Sequence, residues 1–159
     1  MIRLAAVLAL LAGSAAAQDL PYSDAATETC LADASGFAAQ TACIGASSGL
    51  CMDTPAGGST VGMGGCLDRE LSFWDAMLNA NYKAQMARAK ASDEETRQYN
   101  PNAASQATAL RDMQRAWITY RDAACDYERS QWGGGTGGGP ATYACLMELT
   151  GLQALRGHC

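Results

Sequence analysis

Apolar residues return at steps of three and four along two stretches of this 159-residue chain. From residue 60 to about 91 the stripe is Leu67, Leu71, Trp74, Leu78 and Tyr82. From residue 101 to about 130 it is Ala103, Ala107, Leu110, Met113, Trp117, Tyr120 and Ala124. A repeat near 3.6 residues marks one face of a helix, so both stretches are expected to be amphipathic helices. Thr60 is the expected N-cap of the first, after the loop Pro55-Ala56-Gly57-Gly58-Ser59, and Gly62, Gly64 and Gly65 weaken its opening turn. The run Ser92-Asp93-Glu94-Glu95 extends that helix, ends it or opens a loop. Asn100-Pro101 reads as an N-cap followed by proline at the first helical position. The second helix then has some 29 residues and reaches roughly 40 Å.

The two helices are expected to pack antiparallel, with Trp74, Leu78 and Tyr82 against Leu110 and Trp117. If the Trp117 ring is core, its removal costs on the order of 3–5 kcal/mol. Met77 and Met86 read as core filling. Shorter helices are expected over residues 24–34, with Gly36 as the stop, and over residues 38–46. The glycine segment 133–139 breaks regular structure; Pro140 opens a last helix through Leu146, Leu149, Leu152 and Leu155, with Gly157 as its stop. No alternating strand pattern competes. The expectation is an all-α, disulfide-stapled helical bundle built around two long antiparallel helices.

The amino end changes where this bundle is expected to work. Arg3, the apolar run from Leu4 to Ala12 and the small residues Ala15-Ala16-Ala17 make an export signal cut after Ala17. The apolar run is too short for a membrane anchor, which takes roughly 20 apolar residues. Leu11-Ala12-Gly13 resembles a lipoprotein signal, but Ser14 stands where the lipidated cysteine belongs, so a free periplasmic or secreted product is expected, with no membrane insertion. Removing 17 of 159 residues leaves 142, enough for a buried core. The expected organisation is a signal peptide at 1–17, a cysteine-rich segment at 18–58 and a helical domain at 59–159. A net charge of −5, with no basic stripe, excludes nucleic acid as a partner.

Cysteine usage points the same way. All seven cysteines (30, 43, 51, 66, 125, 145 and 159) follow the predicted cut, as in a disulfide framework. There is no Cys-x-x-Cys and the one histidine is His158, so neither a zinc site nor a thioredoxin-type redox site is indicated, and no cofactor is expected. One cysteine is left over, and choosing it and pairing the rest leaves about 105 arrangements open. Cys125 and Cys145 flank the glycine segment; a bond between them would close a loop of about 20 residues, worth around 3 kcal/mol. The glycines lack the Gly-Lys-Ser/Thr of a phosphate loop and leave a helix where that loop leaves a strand. Cysteine catalysis would need a histidine better placed than His158 beside Cys159. No catalytic set emerges, and a binding protein is the expected class.

Four short runs carry a resemblance. Met63-x-x-Cys66, Asp75-x-x-Leu78-Asn79-x-x-Tyr82, Gln114-Arg115-Ala116-Trp117 and Arg121-Asp122-x-x-Cys125, followed by Gly-Gly and Cys145, are similar to the LprI-like lysozyme-inhibitor domain family over residues 51–155. The resemblance implies an exported or envelope-attached helical domain and an inhibitor whose partner is a lysozyme, here a cationic one. An accessory envelope protein with another partner is the alternative. It also implies the bonds Cys51–Cys66 and Cys125–Cys145, leaving Cys30–Cys43 as the default third pair. That third bond needs a chain break near Gly36, because thirteen residues of continuous helix would separate the sulfurs by about 20 Å. Asp75, Leu78, Asn79, Tyr82, Gln114, Trp117, Arg121 and Asp122 then read as scaffold, with Asp75 and Arg121 meeting across the seam. A partner would instead meet the loop at 55–59 or the glycine loop at 133–139.

Overall fold

Leu67, Trp74 and Leu78 lie buried along one face of α4 (Thr60–Arg97), the 38-residue spine of the molecule. The computed structural model describes residues 19–156, which hold six helices. The amino-terminal segment forms α1 (Ala25–Asp33), α2 (Phe37–Thr41) and α3 (Ala46–Met52), and two long helices follow α4, namely α5 (Gln106–Ser130) and α6 (Gly138–Arg156). The fold is all-α and carries three disulfides. The expected export signal at 1–17, with Gly157, His158 and Cys159, lies outside the described residues.

The long helices form an up-down-up bundle. α4 and α5 are antiparallel: Asp93 meets Gln106 at one end, and Arg121 faces the hollow of Ser72 and Asp75 toward the other. α6 turns back along α5, with Thr150 beside Arg121 and Cys145 bonded to Cys125. α6 therefore runs in the same direction as α4, and this pair packs most extensively: Tyr143 sits by Gly64, Gly151 by Trp74, and Asn81 donates to the Ala154 carbonyl at 3.1 Å. Met147, Ala154 and Leu155 complete the core.

On the long helices α4 and α5, two boundaries differ from the sequence reading and the run at 92–95, which it left open, is resolved, each for a local reason. Ser59, one residue before Thr60, caps α4 by accepting from the Gly62 N–H at 3.0 Å. α4 runs through 92–95 to Arg97 because Asp93 is engaged there. Its carboxylate accepts from the Ser105 hydroxyl at 2.6 Å and from the Gln106 and Ala107 N–H groups at 2.7 and 3.1 Å. With Ser105 accepting from Thr108, these bonds start α5 at Gln106 and leave Asn100 and Pro101 in the connecting turn.

The Ser105 hydroxyl, with the Ala107 and Gln106 N–H groups and the Arg97 charge, holds the Asp93 carboxyl below its usual range of about 3.8, against the opposing pull of burial. A depressed folded pKa stabilises the fold above the unfolded value, and that contribution is lost as pH falls through the folded one. Below about pH 4 the midpoint of thermal unfolding should therefore fall less steeply with pH in Asp93→Asn than in wild type. Equal slopes would remove Asp93 from the acid response.

Short helices follow from tertiary bonds more than from propensity. Gly36, at φ 83°, breaks the chain between α1 and α2, and Cys30 reaches Cys43 across that break. α2 stops at Thr41, short of the expected 46, and the chain turns before the separate helix α3. Glu70, fully buried on α4, accepts four hydrogen bonds: from the Thr27 hydroxyl (2.9 Å), the Gly45 N–H (2.8 Å), the Ser48 N–H (2.7 Å) and the Trp74 indole (3.2 Å). Three of those donors belong to the amino-terminal segment. One carboxylate thus satisfies N–H groups at the start of α3, which would otherwise be buried and unpaired. Thr27 and Ser47 add a reciprocal pair, each backbone N–H donating to the other's hydroxyl oxygen.

Candidate functional site

Parallel packing of α4 and α6 brings both of their amino ends, and the loops that precede them, to one end of the bundle. There the first turns of α4 and the glycine segment enclose a cleft of about 540 Å³, walled by Thr60, Val61, Gly64 and Asp68 of α4 and by Thr136, Pro140 and Tyr143 of the facing loop and α6. Its walls are mostly apolar, and Val61 at its rim is 85% exposed.

The glycine segment builds one wall by local rules. Gly133 and Gly134 take φ of 55° and 84°, which L side chains rarely adopt, and reverse the chain after α5. Trp132 then folds back over Gly137, where a Cβ atom would stand 2.1 Å from the indole. The ring is pinned at its base yet 53% exposed. The Cys125–Cys145 bond clamps the helices on either side of this loop. Part of the segment is ordered helix, because α6 begins at Gly138, ahead of Pro140. Trp132 was not singled out in the sequence; an aromatic placed directly before a glycine reversal is the signal that marks it.

The motif residues lie elsewhere, along the middle of the bundle. Leu78 is buried in the core, and Tyr82 and Gln114 join it around a hollow of about 230 Å³. Trp117 is half-buried against the core, with the Arg121 guanidinium 5.1 Å from its ring centre. Arg121 directs its fork to the Asp122 carboxylate at 2.7 and 2.9 Å, while Asp75 accepts from Asn79 at 2.8 Å. Asp75 and Arg121 border the same hollow but make no ion pair: each has a nearer partner on its own helix, and this corrects the expected pairing across the seam. Asp75, Asn79 and Asp122 are exposed. Met77 packs against the core and Met86 is half-buried. Among the described residues no three His, Cys, Asp or Glu side chains converge as a metal site would require, and no helix is long and apolar enough to cross a membrane.

The class that this fold and site define is a disulfide-stapled helical bundle with a mostly apolar cleft at one end. The chain belongs to the LprI family, described as lysozyme inhibitor LprI, whose model matches residues 51–155. It is also similar to an uncharacterized protein of Rhizobium meliloti (strain 1021), 35% identical over 85 residues, which cover 54% of this chain and 61% of the relative. The chain thus spans less than two thirds of that relative's length. No solved structure matches it. The matched span begins at Cys51, so α1, α2 and most of α3 lie before it.

Proposed function

We propose that this is an exported, non-lipidated protein inhibitor, without catalytic activity of its own, that blocks a lysozyme with the loop-bearing end of its bundle. The family match carries the reading, and the family is named for inhibition. Three disulfides fit an oxidising compartment, as export through the 1–17 signal requires. The glycine-loop end supplies what an inhibitor needs: a chain reversal, an exposed aromatic anchor at Trp132 and an apolar cleft lined by Thr136, Pro140 and the first turns of α4. The motif residues of α4 and α5 serve the scaffold in this reading.

The test is peptidoglycan hydrolysis by several lysozyme types with purified chain 18–159. Inhibition should persist at physiological salt, where charge attraction fades within about 8 Å, and should vanish when the disulfides are reduced. Trp132→Ala should weaken it at least about tenfold, as loss of an aromatic anchor does, with an unchanged unfolding midpoint. Inhibition that disappears at moderate salt is only a polyanion meeting a polycation. Failure against every lysozyme type would favour an accessory envelope role.

A further inference from the structure

The outward flank of α5 carries a second apolar stripe. Ala109, Met113, Ala116, Tyr120, Ala123 and Tyr127 follow one another at steps of four, three, four, three and four, and all six are exposed. Met113, Tyr120 and Tyr127 are 50%, 63% and 67% exposed. Such spacing is the seam of a two-stranded coiled coil, and it runs about 27 Å along the helix. The buried face of α5 is a different one, formed by Ala107, Leu110, Gln114, Trp117, Arg121 and Cys125.

The sizes along the stripe identify its partner. Large and small residues alternate, and the order is its own complement when reversed. If a second α5 lies antiparallel with its centre at residue 118, Met113 faces Ala123, Tyr120 faces Ala116 and Tyr127 faces Ala109. Every layer then holds one large and one small side chain, which lets the two helices approach closely. A parallel pairing would set tyrosine on tyrosine and alanine on alanine, leaving crowded layers beside gaps. An aromatic side chain buries roughly 150–250 Å², so the paired stripes cover on the order of 1,000 Å² in total, the lower bound for a specific interface. We propose that the protein self-associates into a two-fold dimer through this face of α5, weakly, with a Kd of about 10–100 µM.

One feature opposes the pairing and supplies a handle on it. Asp112 and Asp126 border the stripe on one side, and in the antiparallel register each faces the other's counterpart on the second copy. Asp126→Lys should therefore tighten the dimer at least about threefold. Glu28→Lys, the same charge change on α1, should shift it less.

Sedimentation velocity of chain 18–159 across two decades of concentration tests the proposal, in a Cys159→Ser background so that no interchain disulfide mimics the dimer. Wild type should move from monomer to dimer. Ala116→Tyr puts two tyrosines in one layer and should weaken association at least about tenfold. Adding Tyr120→Ala to it restores one large and one small residue per layer and should bring the affinity back to within about threefold. Tyr120→Glu should abolish the dimer while leaving the helical circular dichroism and the unfolding midpoint unchanged, since the side chain is exposed. A chain that stays monomeric at the highest concentration, or a dimer indifferent to both Ala116→Tyr and Tyr120→Glu, overturns the proposal.

Discussion

Replacing Glu70 with alanine should destabilise the protein by about 3–5 kcal/mol, because several buried neutral donors lose their acceptor at once. The change leaves the Thr27 hydroxyl, two backbone N–H groups of the α3 region and the Trp74 indole facing a void, and each buried donor without an acceptor costs about 1–3 kcal/mol. Glu70→Gln keeps the shape but turns an amide NH₂ toward one of those donors, so its loss should be smaller, about 1–3 kcal/mol. Urea unfolding followed by circular dichroism gives both numbers. A loss under about 1 kcal/mol for the alanine variant would mean that α1 and α3 do not depend on this carboxylate. A fragment cut at the family boundary, residue 51, should suffer in the same way, because it keeps Glu70 and discards Thr27, Gly45 and Ser48.

Trp74→Ala should be comparably severe, about 3–5 kcal/mol. The indole is fully buried, touches the backbone of α6 at Gly151 and donates its N–H to Glu70. Trp117→Ala should lose less, about 1–3 kcal/mol, because that ring is half-buried and partly covered by Arg121. Thermal and urea midpoints of the two variants should separate clearly. Equal losses would mean that the half-buried ring is as tightly packed as the fully buried one.

Which parts of this fold are readable in the sequence follows from where the stabilising contacts come from. The spine α4 was legible because Leu67, Leu71, Trp74, Leu78 and Tyr82 recur at helical spacing and do face the core or its margins. On α5 the same rule misplaced Met113 and Tyr120, which are exposed, while Gln114 and Arg121 are half-buried, with the Arg121 guanidinium held by Asp122. Spacing alone does not distinguish a core stripe from a second apolar stripe on the same helix. Glu70 was invisible because a glutamate on a helix reads as solvated surface until its amino-terminal donors, 22 to 43 residues earlier, are in place. α3 was missed for the same reason, since Ser47, Ser48 and Gly49 are poor helix formers held by a distant carboxylate and by the bond from Cys51 to Cys66. The close packing of α6 on α4 uses Gly151 to make room for the Trp74 and Ile44 side chains, and hydrophobic periodicity carries no trace of that. The loop end was half legible: the glycine loop could be named from its composition, but the cleft it forms with the first turns of α4 depends on α4 and α6 running the same way.

The order of the disulfides bears on how the chain matures. Each of the three bonds joins a cysteine to the very next one in sequence, across 13, 15 and 20 residues, and none encloses or crosses another. A chain delivered amino end first therefore meets each correct partner before any wrong one is within reach, and an oxidant acting in order of appearance makes only native bonds. Cys159 arrives last, when every other thiol is already taken. Maturation should need a disulfide donor but no isomerase, and refolding from the fully reduced, full-length chain, where all seven thiols compete at once, should be the slower and more error-prone route.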